Sequence, residues 1–176
     1  MALITRRSAL RGAAALTLAA TPLARALASD ARALAFRHTH TGETLSVAYY
    51  RDGAYDRDSL ARVKHFLRDF RTGAVHDIDP ELLDILAHVQ GASGVAGTFE
   101  VISGYRSPRT NAALRRRSAG VAEHSMHMEG RAIDVRLPGV ATARLRECAL
   151  DLQRGGVGYY PASDFVHLDT GRVRCW

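Results

Sequence analysis

Two short segments late in the chain limit what it can fold into. Ala132–Leu137 (AIDVRL) and Phe165–Asp169 (FVHLD) have the branched, alternating composition of strands, yet each carries an ionisable side chain in its middle. Successive side chains of a strand point to opposite faces. Ala132 and Asp134 therefore share one face, and Ile133 and Val135 take the other. Likewise Val166 and Leu168 oppose Phe165, His167 and Asp169. An aspartate between two branched apolar residues is not an ordinary surface strand. It is either buried and paired or a ligand.

At 176 residues the chain suits one domain, and a domain of that size buries a real core. Its beginning has a different character. Arg6 and Arg7 form a twin-arginine pair, an apolar run follows from Ala13 to Ala20, and small residues stand at Ala26 and Ala28. This is the layout of an export signal, with cleavage expected after Ala28. The apolar run is too short to cross a bilayer, which takes roughly 20 residues. We expect residues 1–28 to be a twin-arginine signal and residues 29–176 a single domain, with its motifs in 98–176. The expected location is the bacterial periplasm, with no stable membrane span once the signal is gone.

Removing residues 1–28, which carry Arg6, Arg7, Arg11 and Arg25 and no acid, takes the formal charge from +6 to about +2. A nucleic-acid partner then loses its main electrostatic support. The run Arg115-Arg116-Arg117 reads as a solvated helix face. The envelope permits disulfides, and Cys148 and Cys175 could form one bridge or stay free; spacing does not decide.

The periodicity predicts strands over 33–40 and 44–50 joined by a turn at Gly42, and a helix over 58–71. Asp79-Pro80-Glu81 opens a second helix, capped by Asp79, with Leu82, Leu83, Ile85, Leu86 and Val89 on its apolar face. A strand over 98–103, a loop over 104–108 and a short helix over 109–117 come next. A strand over 132–137, a helix over 141–153, and strands over 157–160 and 165–169 follow. The order gives an α+β fold, a small and mostly antiparallel sheet with packed helices.

A catalytic zinc takes three protein ligands and keeps one position open. His127, Asp134 and His167 offer two imidazoles and a carboxylate on or beside strands, and Gly130 lets the chain turn close to them. On spacing alone, a satisfied core or surface histidine is the commoner outcome. The H-E-x-x-H pattern is absent. Tyr105, in the loop beside Arg106, is a candidate for packing against a substrate, and Tyr159, Tyr160, Phe165 and Trp176 are read mostly as core. His38 and His40 are read as a solvated strand face; His65, His76 and His88 carry no signal.

Three motifs in order alter the balance. Ser125-x-His127-x-x-Gly130-x-Ala132-x-Asp134 resembles the S-x-H-x-x-G-x-A-x-D signature of M15-type zinc peptidases of bacterial cell walls. SGYRSP, Ser103 to Pro108, resembles an upstream element of the same group. The tail from Gly155 to Trp176 resembles the DUF882, YcbK-like murein endopeptidase branch. The likeness runs over about residues 75–176 and implies a hedgehog/D-Ala-D-Ala-peptidase-like fold. It also implies one zinc ion per chain on His127, Asp134 and His167. Arg106 then matches an arginine that contacts a substrate carboxylate or polarises the scissile carbonyl, and Ser125 stands behind the ligands.

A zinc site of this type acidifies a water and polarises a carbonyl, and a base moves the proton to the leaving amine. Relatives often supply the base as Glu three residues before the last ligand or His two before it. Here those positions are Asp164 and Phe165. Asp164 is the first candidate, Asp169 the second or an orienter of His167, and Glu129 the third; His124 is read as a polar loop residue. The expected activity is endopeptidase cleavage of peptidoglycan peptide stems at their cross-links, by a monomer. The alternatives are a zinc-bearing module that binds wall peptides without cutting them, and a D-Ala-D-Ala-type carboxypeptidase. A serine hydrolase using Ser103 or Ser125 is disfavoured, because no G-x-S-x-G elbow is present.

Overall fold

The computed structural model describes residues 31–118 and 120–176. The export signal read at residues 1–28 lies outside the described residues. The chain opens with a hairpin, β1 (Arg32–His38) and β2 (Thr44–Arg51), turned by Gly42 at a φ of 73°. A two-residue strand β3 (Ala54–Tyr55) and helix α1 (Arg57–Phe66) follow, then α2 (Pro80–Ser93), β4 (Thr98–Ser103) and α3 (Pro108–Arg115). The last third holds a 3-10 turn (Met126–Glu129), β5 (Ala132–Arg136), α4 (Thr142–Asp151), β6 (Gly156–Tyr160), β7 (Phe165–Asp169) and β8 (Arg174–Cys175).

All eight strands join one sheet in the order β3-β2-β1-β4-β5-β7-β6-β8. The α+β expectation holds, and pairing is mostly antiparallel. Two pairs, β1 with β4 and β6 with β8, run parallel. The short strands β3 and β8 have no periodic signal; two residues are too few for an alternation to show.

The helices obey their caps. Asp56 receives the Ser59 N–H at 2.7 Å and starts α1; Asp79 receives the Glu81 N–H and starts α2 with Pro80 in its first turn. Helix α1 stops five residues short of the expected end. The Leu67 carbonyl accepts from the Tyr105 N–H at 2.8 Å, so the chain leaves the helix to meet the loop after β4. Helix α2 packs on β1 and α4 on β6 and β7, and the two helices touch. Leu82, Leu83, Ile85, Leu86 and Val89 are all buried, as their spacing predicts.

Along β1 the solvated-face expectation fails at His38. Its side chain is 1% exposed, edge-on to Phe66 and Phe70, while His40 stacks on Phe70 at 4.3 Å. The apolar faces of Leu34 and Phe36 extend as far as His38 and carry it inward.

Cys148 is buried in α4, Cys175 is exposed in β8, and both are free thiols. In the folded protein a thiol reagent should therefore label one cysteine per chain, and a second only in denaturant. Zero labelling before reduction would instead indicate a bridge.

Candidate metal centre

The centre of the sheet aligns the polar residues. Across β4, β5, β7 and β6, Ser103 lies opposite Asp134, Asp134 opposite His167, and His167 opposite Gly158. Ile133, Val135, Val166 and Leu168 point the other way and are buried in the core. The third residue arrives from the 3-10 turn. His127 sits on that turn, which ends at Gly130 with φ at 67°. A Cβ there would run into the Asp77 carbonyl, so only glycine lets the turn close onto the 76–79 segment.

One donor atom each from His127, Asp134 and His167 lies within 4.8 Å of the others, and all three residues are buried. Asp134 Oδ1 is 3.2 Å from His127 Nε2 and 2.9 Å from His167 Nδ1. The outer nitrogens are held from behind. His127 Nδ1 meets the Gly104 carbonyl at 2.7 Å, and His167 Nε2 meets Asp169 Oδ2 at 3.0 Å. These outer acceptors can each take a ring N–H, so that a divalent ion replacing the inner proton would meet a lone pair from each ring. Two imidazoles and one carboxylate converging beside the pocket form a donor set that can hold a divalent metal ion.

Electrostatics agree. Burial alone would raise Asp134, but the His127 and His167 imidazoles hold its carboxyl well below the usual carboxylate range. Burial alone would lower His167, but Asp134 and Asp169 on either side lift it above its ordinary value. A cage that favours a positive charge on His167 is one in which a divalent cation can replace the proton.

The SGYRSP stretch builds one wall. A Cβ on Gly104 would press into the Leu67 backbone at 2.7 Å, and the same glycine presents its carbonyl to His127. The Arg106 N–H donates to the His127 carbonyl at 3.0 Å. Its guanidinium is mostly buried, donates to Asn111 Oδ1 at 3.3 Å and lies 3.9 Å from Asp134 Oδ2. Its Nε has no partner among the described residues. Burial lowers Arg106 from its ordinary value, and Asp134 is the main charge opposing this. Ser107 caps α3 through Thr110 and also donates its hydroxyl to Asp69 Oδ2 at 2.6 Å.

Asp69 is thus the anchor of this loop. Burial works against its charge, but hydrogen bonds from the Ser107 and Thr110 hydroxyls and from backbone N–H groups outweigh that and hold it at about 2. A carboxylate depressed by folding stabilises above its unfolded value near 4 and loses that contribution as pH falls toward 2. The melting temperature of Asp69→Asn should accordingly fall less steeply than the parent's between pH 4 and pH 2. Parallel curves would refute the anchor.

The pocket above the triad has a volume of about 350 Å³ and is walled by Arg106, His124, Ser125, Tyr160, Arg174 and Trp176 among others. Of the expected site residues, His127, Asp134, His167 and Arg106 come together. Asp164, the first candidate base, does not. It closes the 161–163 turn in a left-handed conformation with φ at 50°. Its carboxylate accepts from the Thr142 hydroxyl at 3.1 Å and pairs with Arg136, away from the pocket. Asp169, the second candidate, is fully buried, lies 3.0 Å from His167 Nε2 and does not line the pocket. Glu129 is exposed and pairs with Arg131. Tyr105 is buried and stacks on His76 at 4.7 Å rather than facing the pocket. Ser125 lines the pocket, but its side chain does not cap the turn that follows.

Besides Asp134, no Asp or Glu lines the pocket among the described residues; His124 and Tyr160 line it, as do the hydroxyl-bearing Ser118 and Ser125. Trp176 is wall rather than core, and Arg174 carries no pattern of its own. Only their place in the tail resemblance points to them.

An α+β domain whose central strands and one turn hold two imidazoles and a carboxylate at the floor of an open pocket has the donor set of a mononuclear metallohydrolase. The family profile described as Peptidase_M15_2, peptidoglycan L,D-endopeptidase MepK, matches residues 26–176, and the chain belongs to this family. The peptidoglycan L,D-endopeptidase MepK of Escherichia coli (strain K12) is 44% identical over 145 residues, covering 82% of this chain and 80% of that protein. A Haemophilus influenzae protein described as a probable peptidoglycan L,D-endopeptidase MepK is 44% identical over 146 residues, covering 82% of this chain and 78% of its own length.

Proposed function

We propose that this protein is a zinc-dependent endopeptidase of the bacterial envelope that cuts an L,D peptide bond in peptidoglycan cross-links. The observation that carries the proposal is the buried His127, Asp134 and His167 cluster at the floor of a pocket that Arg106 also enters, in a chain of this family. The relatives' name favours an endopeptidase over a carboxypeptidase. No described helix is long and apolar enough to cross a membrane. A twin-arginine signal over residues 1–28 would deliver the domain to the periplasm, where it would act as a monomer with one zinc.

His127, Asp134 and His167 would hold the zinc, which when bound would supply Lewis-acid polarisation of a carbonyl and a more acidic water. Arg106 lines the pocket and offers its charge to a carbonyl or carboxylate oxygen of the peptide. The contacts of Gly104 with His127 and of Asp169 with His167 favour an N–H on the outer nitrogen of each ring, which supports a ligating role for the inner one. His124 and Tyr160 line the same pocket and carry groups that could exchange a proton with a bound peptide.

Purified cross-linked peptidoglycan, incubated with residues 29–176, should yield new uncross-linked muropeptides. A chelator should abolish them, and added zinc should restore them. Zinc held at one per chain with no product from any cross-link type would instead support a wall-peptide binding module.

A further inference from the structure

We propose that Arg174 is a positioning residue for the metal centre, acting on His167 through Asp169; this rests on the metal-centre reading above. Asp169 is 0% exposed and receives five hydrogen bonds. Its Oδ1 accepts from the N–H groups of Gly156 at 3.0 Å and Gly171 at 2.8 Å, and from Arg174 Nη1 at 3.0 Å. Its Oδ2 accepts from Arg174 Nη2 at 2.7 Å and faces His167 Nε2 at 3.0 Å. Oδ1 is thus fixed by the backbone, while Oδ2, the oxygen that aims His167, shares its load with one side chain only. A two-point guanidinium grip sets the plane of a carboxylate, which a single contact does not.

The fold spends several residues on this grip. Arg174 lies opposite Gly156 in the parallel pairing of β8 with β6. A Cβ on Gly156 would collide with both Arg174 Nη1 and Asp169 Oδ2. Trp176 is held two residues later by a 2.9 Å bond from its Nε1 to the Tyr160 hydroxyl. Its indole rests against Gly158, which has no side chain to displace it, and lies 5.2 Å from the His167 ring. The Arg174 guanidinium carbon is 4.9 Å from the centre of that indole. The guanidinium is thus gripped by a buried acid on one side and by an aromatic ring on the other. Ion pairs on exposed rims are not built this way.

The test is zinc affinity of the metal-free chain, read by competition with a chromophoric chelator, together with the absorption spectrum of the cobalt(II) form. Arg174→Ala should weaken zinc about 10- to 100-fold. Arg174→Lys, which keeps the charge but loses the two-point grip, should weaken it less and still alter the cobalt spectrum. In an Asp169→Asn background, Arg174→Ala should add little, because its route to His167 is already broken. Arg172→Ala, a neighbouring exposed arginine, should change nothing. If Arg174→Ala fails to fold, Arg174→Lys decides. Folded Arg174 variants with the parent's zinc affinity and cobalt spectrum would overturn the proposal. So would a loss from Arg174→Ala that is undiminished beside Asp169→Asn. A parent chain that takes up no zinc would overturn the metal-centre reading and this proposal together, whereas parent binding with unaffected variants would overturn this one alone.

Discussion

His127→Ala should lower the rate of cross-link cleavage by at least about 10³-fold and reduce bound zinc from one per chain to a trace. Its Nδ1 is committed to the Gly104 carbonyl, so Nε2 is the one atom it offers to the site. Removing it leaves Asp134 and His167, two donors where a catalytic zinc needs three. The loss should not be recovered by excess zinc at moderate concentration, because the third donor is supplied by a turn and not by a neighbouring strand residue. Muropeptide chromatography and metal analysis of the same preparation measure both effects. Chelator-sensitive cleavage within tenfold of the parent would remove His127 from the ligand set.

Gly130→Val should cost about 3–5 kcal/mol and lower the melting temperature by roughly 10 °C. Two separate costs combine there. The left-handed φ of 67° is strained for a branched side chain, and its Cβ would run into the Asp77 carbonyl. The turn would have to withdraw from the 76–79 segment and give up the 3.0 Å bond from the Asp79 N–H to the Gly130 carbonyl. His127 would move with it, so zinc affinity should fall as well. Gly42→Ala isolates the first cost, because Gly42 has a similar φ and open space around it. It should lose only about 1 kcal/mol. A Gly130→Val chain that melts within 2 °C of the parent would show that the turn is not tied down as described.

The two strands of the candidate site were readable because both show the same conflict, an ionisable residue in an apolar alternation. Asp134 and His167 had to find a buried partner, and each found the other. Asp79 with Pro80, and the leucine-rich face behind them, were equally plain because capping and helical period are local rules. Asp164 shows where local rules end. Its sequence distance from His167 matched the expected place of a base, but the direction of its side chain depends on a left-handed residue closing a 3-10 turn. His38 looked solvated because nothing near it in sequence shows that Phe66 and Phe70 will cover it. Asp69 and Arg174 act over 38 and 5 residues, on Ser107 and Asp169. Their partners are fixed by tertiary structure, and no periodicity announces either one.

The direct opposition of Asp134 and His167 also bears on how the sheet finds its pairing. A slip of β5 by one residue against β7 would send the Asp134 carboxylate to the helix-covered side and turn Ile133 and Val135 toward the pocket. The misplaced carboxylate would be buried with no imidazole or cation beside it, at a cost of several kcal/mol. The residues proposed to hold the metal therefore also exclude alternative registers at the middle of the sheet. Substituting them with apolar residues of similar size would remove not only the proposed ligand set but also the feature that makes one alignment of these strands much better than its neighbours.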